Sequence, residues 1–463
     1  MRTAGYQYQH PWQCCVTTTL RGILRIIRIL LLVMICHQCP GKSAGRSKYV
    51  LKLTRLNCRI LRLSLALWGG FLIQSAAAQA PAWPNWMGPN RDGVSVEADW
   101  STVWPDEGLP VRWTRKIGIG FSSIAISDGR LYSMGHVEGE EFVWCLSAET
   151  GLPIWSHHYP CELNANLHEG GPGATPTLDG DLVYTLGKGG QLYCLEAKTG
   201  KIRWEKQLKS DLEVPTPEWG FSSSPVIVGQ QLLLEAGRVV SYNKLTGEKQ
   251  WQTERHEAGY GSAALMEFQK QKFVVTLDCE GLRVVLLQTG EEVAFREWPS
   301  PFRTNSTTPI VQENRIYISS AYQVGCGLFE FDGKSLKEIY TSKGMRNHFN
   351  NSILVDGYLY GFDGNSNLGR VVQLTCMDFA TGEVAWKKAG FGCGSLMIAD
   401  KKLVILSETG TLVVAQASPK GFDELTRSRL LNGRCWTVPV LLNGHVYARN
   451  AAGSLVAVKL PKQ

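Results

Sequence analysis

The sequence predicts an all-β protein, an eight-bladed β-propeller of four-stranded antiparallel blades closed by an N-terminal strand pairing with the last blade. Three observations predict it. A phrase, Cys-Leu-x-Ala-x-Thr-Gly-x-x-x-Trp, stands at Cys145–Trp155 and Cys194–Trp204, with altered copies at Cys376–Trp386, Ser241–Trp251 and Val284–Phe295. Its glycines Gly151, Gly200, Gly247 and Gly290 are 49, 47 and 43 residues apart, a spacing that suits four-stranded blades. A second phrase precedes each copy, a small or Ser/Pro element followed by two apolar runs around a turn. It begins near Ser122, Ala174, Ser223, Gly261, Thr307, Asn351, Gly394 and Thr437, which makes eight units. Finally, the last unit ends at Leu455–Leu460 without an outer strand, whereas Val111–Gly118, with Trp113, is an outer-strand phrase with no unit before it. Joining the two closes the circle and removes every open sheet edge.

Each part of the unit has a physical reason. Turns such as Asp128-Gly129, Asp179-Gly180 and Asp356-Gly357 between apolar runs are hairpin signals. The glycine of Thr-Gly supplies the positive φ of the turn between the third and fourth strands. Runs such as Leu192-Tyr-Cys-Leu195 do not alternate, as expected of strands covered on both faces by neighbouring blades. The tryptophan four residues after the glycine belongs on the outer strand, where it fills the widening gap between blades.

Charge divides the chain in two. The formal net charge is +7, but eleven basic residues and no acidic ones fall in residues 1–80, leaving residues 81–463 at a formal −4. That mildly acidic body offers nothing to nucleic acid in bulk. Residues 1–80 read as an export leader. Arg55, Arg59 and Arg62 precede the apolar stretch Leu63–Ile73, and Ala78-Gln79-Ala80 forms an A-x-A cleavage site, placing the mature N-terminus at Pro81. Residues 1–50 exceed an ordinary signal peptide and read as a misassigned start or an unusually long leader. The mature chain, residues 81–463, contains no stretch that spans a bilayer as a helix. It is expected in the periplasm or cell envelope, as a monomer.

The phrase Ala197-Lys-Thr-Gly-Lys-Ile-Arg-Trp204 resembles the repeat of the PQQ-like (quinoprotein-type) β-propellers, and the likeness extends over essentially all of residues 81–463. The opening Trp83-Pro-Asn-Trp-Met-Gly-Pro-Asn-Arg-Asp-Gly93 is similar to that of exported bacterial single-propeller members. The resemblance implies eight blades and an envelope location. It leaves function open, because the superfamily holds both quinone-dependent alcohol dehydrogenases and non-catalytic scaffolds. One such scaffold serves outer-membrane-protein assembly, and this chain lacks its lipid-anchor cysteine. The dehydrogenases stack PQQ on a vicinal disulfide, bind Ca²⁺ through Glu, Asn and Asp, and use an Asp base. Here the only adjacent cysteines are Cys14-Cys15, in the leader, and no Cys-x-x-Cys-His haem motif occurs. The reading is therefore a binding scaffold with no catalytic residue, cofactor or metal, whose partner is a protein or polymer. The alternative is a PQQ- and Ca²⁺-dependent alcohol or sugar dehydrogenase.

The candidate surface is the set of loops leading into the innermost strands, which gather around the channel on one face. They carry His168, Glu169, Glu218, Trp219, His256, Tyr260, Arg303, Asn305, Arg346, Asn347, His348, Arg434 and Trp436. Arg, His, Glu and aromatic groups together suit a peptide or a small anionic ligand. The competing expectation for each residue singly is that charges pair across blades and aromatics pack the rim. No histidine spacing resembles a metal set. Cys145, Cys194 and Cys376 share one repeat position, too far apart to bridge, and read as buried apolar residues. Pairing among Cys161, Cys279, Cys326, Cys393 and Cys435 stays open.

Overall fold

A computed structural model describes residues 81–366 and 371–463. The leader, its cleavage site and Cys14-Cys15 lie outside the described residues.

The repeat folds as the spacing requires. Seven blades are continuous four-stranded antiparallel sheets, spanning residues 125–160, 177–207, 226–252, 264–297, 310–342, 353–389 and 395–429. The eighth is composite: strands Val440–Leu442, His445–Arg449 and Ser454–Lys459 receive Val111–Lys116 as their fourth member. That pairing is antiparallel, with Trp113 opposite Ala457 and Lys116 opposite Ser454, so the start of the propeller is hydrogen-bonded to its end. Among the described residues helix is confined to one turn at Leu208–Asp211 and a 3-10 turn at Pro301–Arg303. Among the described residues no helix is long and apolar enough to cross a membrane.

The two signature residues of the repeat turn out to be partners from successive blades. The indole of Trp113 lies on Gly151, Trp155 on Gly200, Trp204 on Gly247 and Trp251 on Gly290, and Tyr340 takes the same place over Gly382. Those glycines have φ between +67° and +79°, and a Cβ there would fall 2.5–2.8 Å from the ring. Glycine is thus required twice, by the turn and by the neighbouring ring. Each of these rings, with Trp386, also donates its N–H or O–H to a backbone carbonyl of the following blade at 2.8–3.0 Å. A buried aromatic with a satisfied polar tip is what a blade-to-blade contact needs. The register of each third-to-fourth strand pairing slips by one residue close to this ring, as between Ile202 and Trp204.

A second ring of bonds runs around the channel, at the start of the innermost strands. The backbone N–H of Ser123 donates to Thr175 Oγ1 (3.2 Å), that of Thr175 to Ser224 Oγ (2.9 Å), and that of Ser224 to Ser262 Oγ (2.9 Å). Ser262 N–H continues to Thr308 Oγ1 and Thr308 N–H to Asn351 Oδ1, each at 3.0 Å. Asn350 Nδ2 donates to the Gly394 carbonyl, Ser395 Oγ to that of Thr437 (2.8 Å), and Thr437 Oγ1 to that of Phe121 (3.3 Å). Every junction between blades is crossed. At the seam between the last and first blades the fully buried Arg449 adds bonds to the carbonyls of Gly118, Ser122 and Met134.

The N-terminal segment stoppers the channel. Trp83 bridges Ile126 in the first blade, the Pro84 carbonyl accepts from Leu178 N–H in the second, and Arg91 donates to the Ile227 carbonyl in the third. Val94 and Ser95 add a parallel strand to the inner edge of Ser395–Ala399 in the seventh, and Glu97 caps the Asn443-Gly444 turn of the eighth. Gly93, at φ +76°, sits where a Cβ would strike Ile353 of the sixth. The eight cysteines of the described chain are all free and buried, which resolves the pairing question.

Because Trp204 is 8% exposed and clasped to the next blade, Trp204→Ala is expected to cost about 3–5 kcal/mol in urea unfolding. Gly247→Ala should cost less in that background than in the parent chain, since the ring it would strike is gone. An additive pair would contradict the clasp.

Candidate functional site

The loops leading into the innermost strands converge, as the repeat implies, around one mouth of the channel. There they enclose a cavity of about 370 Å³. Its floor is Trp86 from the N-terminal stopper, which also lines a second cavity of about 360 Å³ towards the other face. Serine and threonine side chains of the rim ring, including Ser224, Ser262, Thr308 and Thr437, line the lower wall.

Above them runs a belt of rings in mutual contact. Tyr322 meets His348 edge-on at 5.1 Å, His348 meets Phe349 at 5.0 Å, and Phe349 meets Trp436 at 4.4 Å. Trp436 stacks on Phe121 at 5.2 Å, and Phe121 meets His168 at 5.3 Å. Trp219 and Tyr260 form a separate pair across the mouth, 5.7 Å apart. Leu167, on the lip of the cavity, is 87% exposed and Phe302, against Tyr322 just beyond it, 68%, and both have left-handed backbone, with φ +62°. Large apolar side chains held exposed on such backbone are a mark of recognition surfaces.

Beside its hydroxyls the cavity carries two cationic side chains, Lys188 and Arg434, and two imidazoles, His168 and His348. Lys188, 4% exposed, lines the wall, and its ammonium forms no hydrogen bond or ion pair among the described residues. Burial pulls it down to about 8, against the opposing pull of Glu141. The backbone N–H of Lys188 donates to the buried Glu141 carboxylate at 3.1–3.2 Å, and Tyr159 O–H holds the same carboxylate at 3.0 Å, so its turn is fixed. Burial, with help from Lys188, depresses His168 to about 4, and burial with help from His168 does the same to His348. Both rings are neutral at pH 7. His168 Nδ1 accepts from Gly170 N–H at 3.0 Å and His348 Nδ1 from Ser366 N–H at 3.2 Å. A neutral ring that accepts at Nδ1 carries its proton on Nε2, so each offers a donor. Arg434 lies over Trp436 and pairs with Glu169 at 2.7 Å. No Asp or Glu side chain lines the cavity among the described residues. The nearby Glu408 is taken up by Trp436 Nε1 at 3.0 Å and Cys393 N–H at 3.1 Å.

Of the residues the sequence singled out, His168, Trp219, Tyr260, His348, Arg434 and Trp436 line this mouth. Glu169 stands behind Arg434. Glu218, His256 and Arg303 line, with Tyr260, a neighbouring groove of about 650 Å³. Arg303 pairs there with Glu257, and Glu218 accepts from Asn166. Asn305, Arg346 and Asn347 belong to the framework. Asn305 ties the carbonyls of Asp278 and Trp298 together, Asn347 bonds the Phe362 carbonyl, and Arg346 forks onto the buried Asp363. Sequence reading missed Lys188 and Tyr322, which sit in turns between second and third strands, and also Phe121 and Trp86. Phe121 was within reach, because it stands two residues before Ser123 at the position equivalent to Tyr260 and Phe349.

His256 is buried against Glu235 (2.9 Å) with Asp278 at 3.8 Å, and Asp278 also holds Arg283. Burial alone would lower the imidazole, but the hydrogen bond and charge of Glu235, with Asp278 behind it, hold it above its ordinary value. A raised folded pKa gives stability that is complete below about 6.5 and is lost as pH rises through the folded value. The parent chain is therefore expected to lose more stability as pH rises above about 6.5 than a chain carrying both His256→Gln and Glu235→Gln, which removes the buried carboxyl along with the imidazole, measured by denaturant midpoints. Equal slopes would contradict the buried ion pair.

The fold matches solved propellers widely. The crystal structure of BamB from Moraxella catarrhalis aligns with a TM-score of 0.55 at 15% identity, over 76% of this chain and 98% of that one. A europium-containing methanol dehydrogenase aligns at 0.62 and 11% identity, over 80% and 89%. The quinohemoprotein alcohol dehydrogenase from Comamonas testosteroni aligns at 0.61 and 12%, over 84% and 82%. At these identities the likeness is one of fold. No curated protein matches the sequence. Residues 139–388, more than half of the sequence, match the family described as outer membrane protein assembly factor BamB, and with its eight blades and Thr-Gly…Trp clasp the chain belongs to this PQQ-like β-propeller family.

Proposed function

We propose that the protein is an exported, non-catalytic binding scaffold of the cell envelope that engages its partner at the channel mouth. The observation that carries the reading is the lining itself: a belt of aromatic rings and unpaired donors, with exposed Leu167 on its lip, exposed Phe302 beside it and no carboxylate within it among the described residues. Rigid aromatic anchors around a concave site, ringed by polar groups, are what binding surfaces use to gain affinity. The leader pattern of residues 1–80 supports export, and the family's description as an assembly factor supports a protein partner.

The quinoprotein alternative asks for a different donor set. A calcium ion takes carboxylate and carbonyl oxygens, and a base for alcohol oxidation is a free carboxylate at the ligand. The carboxylates nearest this mouth, Glu169 and Glu408, are already bonded to Arg434 and to Trp436. Among the described residues no group of three or more His, Cys, Asp or Glu side chains is placed to hold a metal, and no two cysteines are adjacent. The residues present do not fit the quinone–calcium pair.

Purified mature protein mixed with PQQ and Ca²⁺ is expected to give no dye reduction with alcohols or sugars. A photo-crosslinking residue placed at Leu167 should capture one envelope protein, and Trp436→Ala should reduce that capture about tenfold or more. Quinone-dependent turnover, or capture indifferent to Trp436, would overturn the reading.

A further inference from the structure

The binding reading leaves the chemistry of the partner unnamed, and the mouth carries more than its aromatic belt. Its charged lining groups are Lys188 and Arg434; Arg434 is ion-paired with Glu169, whereas the Lys188 ammonium has no ion pair or hydrogen bond among the described residues, and the carboxylate behind it, Glu141, is taken up by the Lys188 backbone and by Tyr159. A buried ammonium without a partner is costly, and it is retained where a ligand completes it. Lys188 is not a stray surface group. Its turn is pinned through the Glu141 carboxylate, which accepts from the Lys188 backbone and leaves the ammonium facing the cavity. The two neutral histidines add Nε2–H donors and no basic nitrogen, because Nδ1 of each is occupied by a backbone N–H. The site therefore wants an acceptor that is negatively charged, attached to a body that can lie among rings.

Resting on the binding reading above, we infer that the mouth captures the C-terminal end of a polypeptide, its free carboxylate meeting Lys188 and its last apolar or aromatic side chain seated within the belt formed by Phe121, Phe349 and Trp436. Charge complementarity selects the carboxylate, since no acidic side chain lines the cavity among the described residues. The space of about 370 Å³ accepts one or two residues and no more of a chain. What favours a polypeptide over a small aromatic acid lies at the lip of the cavity and beyond it. Phe302, mainly exposed and in contact with the lining Tyr322, and the outer part of Leu167 on the lip stand where the preceding residues of such a chain would lie, and a small acid held within the cavity would leave Phe302 untouched. Capture of a terminal carboxylate by a preset group of donors is a recurrent mode of peptide recognition.

The test uses the full mature protein and an eight-residue peptide ending in phenylalanine, as the free acid and as the C-terminal amide, titrated by tryptophan fluorescence or calorimetry. The acid is expected to bind at least about tenfold more tightly than the amide, the difference that a charge-assisted bond to a buried cation makes. Lys188→Met should abolish that preference, Lys188→Arg should keep most of it, and circular dichroism with thermal unfolding checks that both variants fold. Affinity for the acid should also fall as pH rises past about 8, where the free ammonium loses its proton. Acid and amide binding alike, or a preference that survives in folded Lys188→Met, would overturn the inference. Binding of 3-phenylpropionate as tight as that of the peptide would also overturn it, because the ligand would then be a small acid. If neither peptide binds while crosslinked capture at Leu167 still depends on Trp436, the carboxylate inference fails and the scaffold reading stands.

Discussion

The structure depends on the channel-side ring of hydrogen bonds, in which each blade hands a donor or acceptor to the next until the circle meets itself. From Ser123 to Thr175, Ser224, Ser262, Thr308 and Asn351 the partner is a side-chain oxygen of the following blade. Each such bond contributes only about 0.5–1.5 kcal/mol. Their effect is geometric: innermost strands that must each meet two neighbours can do so only at one blade number and one tilt. The outer clasp, ring on glycine, sets the opposite edge of the same wedge. Inner ring and outer clasp together hold the blades where both are present, and Arg449 with the Val111–Lys116 strand extends both across the seam where the chain itself is not continuous.

The functional surface follows from that constraint. The residues of the ring stand at the ends of the loops leading into the innermost strands, so the loops that bear Phe121, His168, Trp219, Tyr260, Phe349 and Trp436 are all delivered to one mouth. The N-terminal stopper then decides what kind of mouth it is. Trp86 lines both the mouth cavity and the second one, so its indole stands between the two, which suits the seating of a ligand's end proposed above. Neutral histidines and a pinned lysine add donors to it, and no carboxylate lines it among the described residues. The carboxylates beside the mouth serve Arg434, Trp436 and the Lys188 turn.

How much of this could be read from the chain alone depends on whether the signal repeats. The Thr-Gly…Trp phrase recurs, so blade number, the positive-φ glycine and the pairing of Trp113 with the last blade were all legible. That glycine and tryptophan touch across blades was not, because a repeat shows offset within a unit and not which unit meets which. The site was half legible for the same reason. Loops preceding innermost strands can be located by the repeat, and six of the residues picked from them line the mouth. Arg346, Asn305 and Asn347 came from the same loops, yet they point back into the framework, where Asp363 and unpaired carbonyls need partners. Lys188 lies in a Gly-Lys-Gly-Gly turn that looks like any hairpin, and its burial is set by Gly220 and Phe221 of the next blade. The stopper gave no periodic signal at all, since residues 83–97 occur once.

Closure of the circle is the claim on which both fold and mouth stand, and amide hydrogen exchange of the mature protein under native conditions tests it directly. The amides of the Val111–Lys116 strand that pair with Ser454–Lys459 are expected to exchange only with global unfolding, as slowly as those in the interior of the eighth blade. Exchange of that strand at the rate of a frayed terminus, while its three partner strands stay protected, would show that the ring is not closed there and would contradict the account.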